Sequence, residues 1–194
     1  MTTFVLATAN RHKAEEMRAV LSPLGVDLLE RPPDAADVEE NGATLEANAL
    51  LKARALVAAT GQAAIADDTG LFVDALDGRP GVRSARYAGE GASYDDNVTK
   101  LLDELKGAIE PRTARFVTVI AVAYPDGTTL CVEGELDGVI THERAGDQGF
   151  GYDPVFAPLG AAGRTLAQLA PREKNELSHR GRALRALGEE LARE

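Results

Sequence analysis

A mixed α/β fold is what this chain predicts, and three observations predict it. Apolar, strand-like runs alternate with helical segments along most of the length. Two long β-rich runs, 115–124 and 129–140, are joined by Pro125, Asp126 and Gly127, a hairpin signal, and are expected to build a second lobe. No internal repeat, low-complexity tract or linker divides the 194 residues, so a single domain of two lobes is expected over 1–194.

Taken in order, Phe4 to Ala9 (FVLATA) reads as a buried strand that runs into a polar turn, NRHK, and a helix from Lys13 to Leu21. Val26 to Leu29 is a short strand, followed over 30–42 by a polar, acidic, proline-containing loop. Thr44 to Thr60 is rich in alanine and leucine and closes on Gly61, the pattern of a strong helix with a C-terminal stop. Residues 64–67 (AIAD) and 71–74 (LFVD) are strand-like on either side of a polar interruption, and 74–91 reads as loop. Tyr94 to Lys106 is helical, the hairpin follows, and Ser178 to Arg193 forms the closing helix.

Composition removes several classes of function. A hydrophobic fraction of 44% with 27% charged residues is that of an ordinary globular protein. The net charge of −10 opposes general affinity for DNA or RNA, which needs a field of cations, but leaves room for a small polyphosphate met by a few convergent ones. No apolar run approaches membrane-spanning length, and MTTFVLATAN lacks a basic stretch followed by a long apolar one, so the cytoplasm is the default location. The single cysteine, Cys131, excludes an internal disulfide and reads as a small core residue.

The chemistry concentrates in a few stretches. IADDTG places two adjacent carboxylates, Asp67 and Asp68, at a strand end, where like charges beside a core need a positive partner. TANRHK carries a strand end into a helix start, where unpartnered N–H groups make an anion site; Thr8 and Asn10 add hydrogen bonds. Lys13 adds a cation there, a place a helix disfavours unless an anion neutralises it; a solvated lysine and an Asn cap are the alternative reading. Thr44, Asn48 and Lys52 share one helix face, either a solvent stripe or one turned toward a ligand. Glu39 and Glu40, with Asp67 and Asp68, are candidate oxygen ligands for a hard cation such as Mg2+, and no histidine or cysteine cluster suggests zinc. GFGYDPVF sets Phe150 and Tyr152 among glycines, as a stacking surface for a flat ring or as a buried aromatic pair. Lys174, His179 and Arg180 cluster about Ser178, an N-cap candidate for the last helix.

Six motifs in order, TANRHK, ENGATLEANALLKA, IADDTGL, PGVRSARYAG, GFGYDP and KNELSHRGRAL, resemble the inosine triphosphate pyrophosphatase family over essentially the whole chain. The resemblance implies an elongated mixed sheet with flanking helices, two lobes enclosing a nucleotide cleft, a homodimer and Mg2+. It implies hydrolysis of non-standard purine nucleoside triphosphates (ITP, dITP, XTP) to monophosphate and pyrophosphate. Residue by residue, Thr8, Ala9, Asn10, Arg11, His12 and Lys13 match the triphosphate-binding loop, and Asp68 matches the metal-holding acid that accepts a proton. Glu39 matches a further metal-linked carboxylate, with Glu40 the alternative, and Thr69 stands where many relatives carry serine. Phe150, Gly151, Tyr152 and Asp153 match the base-binding turn, and Lys174, His179 and Arg180 complete the base and phosphate pocket. A house-cleaning pyrophosphatase of other base preference and a nucleotide-binding protein without turnover are the alternatives. The SHR and GFGYDP motifs favour the purine family over the first, and the intact Asp68 and Glu39 oppose the second.

Overall fold

The computed structural model describes residues 2–193. Strands β1 (Thr2–Leu6), β2 (Val26–Leu29), β3 (Ala64–Val73), β4 (Pro80–Gly81), β5 (Thr113–Ala123), β6 (Thr129–Ile140) and β7 (Phe156–Pro158) form a sheet in the order β2-β1-β3-β5-β6-β7, with β4 paired to β3. The helices are α1 (Arg11–Leu21), α2 (Leu45–Thr60), α3 (Tyr94–Glu104), α4 (Pro171–Leu177) and α5 (His179–Leu191).

The chain divides into two compact units. The first runs to Asp68 and takes in Thr118–Gly134 and everything from His179; the second comprises Thr69–Val117 and Glu135–Ser178. Strands β3, β5 and β6 each give residues to both.

In the first unit, β1 pairs in parallel with β2 (Thr2 opposite Val26) and with β3 (Val5 opposite Ala64). Helix α1 buries Ala14, Met17 and Leu21, a spacing that keeps one apolar face on the sheet, against Phe4, Leu6 and Ile65. It begins two residues earlier than Lys13, because the Asn10 side chain accepts hydrogen bonds from the His12 and Lys13 N–H groups at 3.0 and 3.3 Å. Thr44 caps α2 in the same way, accepting from the Ala47 N–H at 3.1 Å, and Gly61 ends it with φ of +68°. Helix α5 buries Ala183, Leu184 and Leu187 in the same core. Its first turn lies close against Gly134 of β6, where a Cβ would stand 2.2 Å from the His179 carbonyl oxygen and 2.5 Å from the Ala183 nitrogen. Only glycine permits that approach.

The second unit has its own core of Leu71, Val73, Leu101, Phe116, Val155 and Phe156, among others. Strand β4 pairs antiparallel with β3 (Leu71 opposite Gly81) and β7 antiparallel with β6 (Gly138 opposite Pro158). Helix α3 opens on a reciprocal cap, in which Ser93 Oγ accepts from the Asp96 N–H and the Asp96 carboxylate from the Ser93 N–H.

Beside the earlier start of α1, other details depart from the sequence expectation, among them β1, which runs Thr2–Leu6 and ends before Thr8 where a strand from Phe4 to Ala9 is expected. Residues 64–73 are one continuous strand through both carboxylates, not two strands with a polar break. Within 74–91, read as loop, lie β4 and two short 3-10 turns, Asp74–Leu76 and Ser84–Arg86. Helix α4, opened by Pro171, precedes α5 and was not anticipated; Ser178 stands between them.

Candidate active site

The uninterrupted β3 raises the question of how Asp67 and Asp68, 2% and 6% exposed, stay inside a strand. Each has cations of its own. Asp67 Oδ2 is 3.0 Å from Lys13 Nζ on α1, and accepts from Arg180 Nη2 at 3.0 Å and Nε at 3.3 Å on α5. Arg180 Nη1 in turn meets Glu16 Oε2 at 2.5 Å. Burial opposes the Asp67 carboxylate, yet Lys13, Arg180 and Lys52 outweigh it and hold its pKa far below the ordinary aspartate value. Arg180 is likewise held above the ordinary arginine value, because Asp67 and Glu16 outweigh the cost of burying it.

Asp68 sits differently. Its Oδ2 accepts from Asn48 Nδ2 at 3.1 Å, and its Oδ1 lies 3.4 Å from Lys52 Nζ, both residues on α2. Lys52 Nζ also donates to Glu40 Oε1 at 2.8 Å, so one ammonium serves two carboxylates. Burial raises the Asp68 pKa; Lys52 and Lys13 pull it down, Glu40 pushes it up again, and the net effect is upward. Lys52 is pushed the other way by burial, but Asp68, Asp67 and Glu40 prevail and its pKa rises. The cluster as a whole brings four carboxylates, Glu16, Glu40, Asp67 and Asp68, against three cations, Lys13, Lys52 and Arg180.

Around the first turn, Thr8 and Asn10 are half-buried and joined by a bond from the Asn10 N–H to Thr8 Oγ1 at 3.1 Å. Ala9, Arg11 and His12 are exposed, with Arg11 paired to Glu15 at 2.8 Å. Glu39 is exposed and Glu40 is the loop acid that reaches Lys52. His179 is buried with Nδ1 2.6 Å from Thr118 Oγ1, and Thr69 is half-buried on β3.

In the second unit, the turn before β7 is held by Asp153, whose Oδ2 accepts from the Phe150 N–H at 2.8 Å and from Lys174 Nζ at 2.6 Å. Lys174 Nζ stands 4.8 Å from the Phe150 ring centroid, and Tyr94 tilts against the same ring at 5.9 Å. Gly151 is half-buried, and Tyr152 is buried with its hydroxyl donating to the Ser84 carbonyl at 2.9 Å.

Sequence reasoning therefore located Lys13, Asp67 and Asp68, which the fold brings together, and Phe150, Asp153 and Lys174, which it also brings together. It assigned Arg180 to the base and phosphate pocket; in the structure the guanidinium donates to Asp67 and Glu16. It passed over Glu16 and Thr118 and left Asn48 and Lys52 undecided; the four-residue spacing of Asn48 and Lys52 on α2 was the signal for the last two.

An α/β sheet with a capped helix start, a lysine in its first turn and two buried acids at the neighbouring strand is the arrangement of a protein that handles anions. The chain belongs to the Ham1 family, whose model matches residues 4–190. It is 50% identical over 193 residues to a dITP/XTP pyrophosphatase of Geobacillus kaustophilus, covering 98% of this chain and 94% of that one. A dITP/XTP pyrophosphatase of Streptomyces coelicolor is 48% identical over 192 residues, 96% of each chain. The structure of a HAM1 protein from Coxiella burnetii superposes with a TM-score of 0.90 at 39% identity, covering 100% of both chains.

Proposed function

We propose that this protein hydrolyses the non-standard purine nucleoside triphosphates dITP, XTP and ITP to the monophosphate and pyrophosphate, removing them from the nucleotide pool. The observation that carries the reading is the buried Asp68 carboxylate, held by Asn48 and Lys52, in a chain that matches dITP/XTP pyrophosphatases along nearly its whole length.

The first unit supplies the phosphate chemistry. Asn10 fixes the start of α1, and the Lys13 ammonium, with one donor on Asp67, has two more for phosphate oxygens. The donor set fits Mg2+: Asp68 and Glu40 are hard oxygen ligands around one shared ammonium, and carboxylates outnumber cations in the cluster. Among the described residues no group of three or more His, Cys, Asp or Glu side chains stands assembled as a metal site. Asp68, with Glu40 or Glu39, would hold the ion. Bound there, Mg2+ supplies neutralisation of charge on the phosphoryl oxygens and eases deprotonation of water. Asp68, its pKa raised by burial, takes the proton of the water that attacks the α-phosphorus. The bond from that phosphorus to the bridging oxygen breaks, and pyrophosphate leaves.

The second unit supplies base recognition through the Phe150–Asp153 turn and Lys174. In the first unit, His179 is a further candidate for contact with the nucleotide, its ring held at Nδ1 by the Thr118 hydroxyl 2.6 Å away. A homodimer in the cytoplasm is part of the proposal, with neither nucleic acid nor membrane as partner. The charge of −10 weighs against nucleic acid, and among the described residues no helix is long and apolar enough to cross a membrane. Sedimentation at twice the 20.5 kDa chain mass is the expected result for the dimer, and sedimentation at the chain mass opposes it.

Incubation with dITP and Mg2+, with products resolved by ion exchange, tests the reaction. One pyrophosphate and one monophosphate per nucleotide are expected, and Asp68→Asn slows turnover about a hundredfold or more. Release of orthophosphate and the diphosphate, or near-normal turnover in the variant, contradicts it.

A further inference from the structure

One member of the α2 stripe has no part in the chemistry above. Asn48 is 0% exposed, and a fully buried amide is costly unless both its ends are satisfied. Both are. Its Nδ2 donates to Asp68 Oδ2 at 3.1 Å, and its Oδ1 accepts from the Gly42 N–H at 2.8 Å. One side chain therefore joins the acid of β3 to the loop that carries Glu39 and Glu40. Gly42 permits the contact: a Cβ there would stand 2.6 Å from Asn48 Oδ1 and 2.9 Å from the Ala47 methyl. One helical turn further on, Lys52 repeats the pattern, touching Asp68 Oδ1 and Glu40. Each oxygen of Asp68 thus has one partner on α2, and each partner also grips the loop.

We propose that Asn48 is a positioning residue that sets the rotation of the Asp68 carboxylate and docks the acidic loop beside it through Gly42, so that the oxygen ligands are presented together. The inference rests on the phosphohydrolase reading of the site. An amide suits the task because it is neutral. A second cation at this position would hold Asp68 as firmly but would cancel the negative charge that a divalent ion and a proton acceptor require. Partners that orient a metal-ligating carboxylate typically matter by about 10–100-fold in metal affinity or activity.

Two variants separate this role from core filling. Asn48→Asp keeps the size and the acceptor for Gly42 but loses the donor to Asp68. Asn48→Leu keeps the branched shape, with a larger volume, and loses both bonds. Each is measured for melting temperature, kcat and KM with ITP at saturating Mg2+, and hydrogen exchange of the peptide spanning 30–43 in nucleotide-free protein. Asn48→Asp is expected to retain wild-type protection of the loop while kcat falls about tenfold or more and KM changes by less than about threefold. Asn48→Leu is expected to lose loop protection and kcat together. Wild-type kcat in the folded Asn48→Asp protein overturns the link to Asp68, and unchanged exchange in Asn48→Leu overturns the docking of the loop. If Asn48→Leu fails to fold, Asn48→Ala, which also loses both bonds, replaces it, and unchanged exchange there overturns the docking of the loop. Absence of ITP turnover in the wild type defeats the phosphohydrolase reading itself, and the exchange measurement then still decides whether Asn48 docks the loop.

Discussion

Asp67 and Asp68 are neighbours on one buried strand, yet their surroundings give them different work. Asp67 is an anchor: Lys13 and Arg180 converge on a single oxygen, tying α1 and α5 to β3. Asp68 keeps its negative charge exposed to fewer cations and to a nearby Glu40, which suits it to take up a proton or an ion. Asp67→Asn is expected to lower stability by about 3–5 kcal/mol, the cost of leaving Lys13 without its carboxylate and the buried Arg180 with Glu16 alone. The same residue governs the acid limb of stability. Its folded pKa lies below its unfolded value, so its contribution is complete above about pH 4 and is lost as pH falls from there toward the folded value. Thermal melts from pH 6 to pH 3 check this: wild type loses stability steeply below pH 4, and Asp67→Asn, starting lower, loses less. Parallel acid limbs contradict it. The two acids themselves were legible in IADDTG, since no bland account places adjacent carboxylates next to a core. Their partners were not, because Arg180 lies 113 residues away in sequence and reaches Asp67 only through the packing of α5.

The secondary elements deliver these side chains, and their legibility follows local chemistry. Helix α2 was readable to both ends because Thr44 and Gly61 mark them, and α1 came within two residues because Asn10 was recognised as a cap but counted inside the turn. The continuity of β3 was hidden by its own charges, which are neutralised only in three dimensions. Helix α4 and strand β4 are too short, at 7 and 2 residues, to show a period. The placement of α5 depends on a contact no pattern reveals, the absence of a side chain at Gly134. Gly134→Ala forces a methyl into the His179 carbonyl and the Ala183 nitrogen, both backbone atoms, so α5 must shift. A loss of about 1–3 kcal/mol is expected, or about 2–4 °C in Tm for each kcal/mol, with reduced turnover because His179 and Arg180 move with the helix. An unchanged melting temperature and turnover contradict that account of how α5 is seated.

Across the whole molecule, two cores support two sets of functional groups. The first unit, built on Phe4, Met17, Leu21 and Leu184, carries the cluster in which Lys13 and Arg180 meet Asp67 and Lys52 meets Asp68 and Glu40. The second, built on Leu71, Leu101, Val155 and Phe156, carries the aromatic turn and Lys174. The chain is acidic overall, so its few cations matter by position and not by number: Lys13, Lys52, Lys174 and Arg180 are each engaged with a carboxylate inside one of these clusters. Under the proposed function, selection among nucleotides falls on the edge of the base, because a donor that a wrong base leaves without an acceptor penalises that ligand severely. Hypoxanthine and xanthine present a 6-oxo acceptor, and adenine presents a 6-amino donor in its place. The most direct test is kcat/KM for ITP against ATP at saturating Mg2+, read as pyrophosphate released. The account predicts a ratio of about a hundred or more in favour of ITP, with dITP close to ITP. Comparable efficiency on ATP and ITP would contradict it.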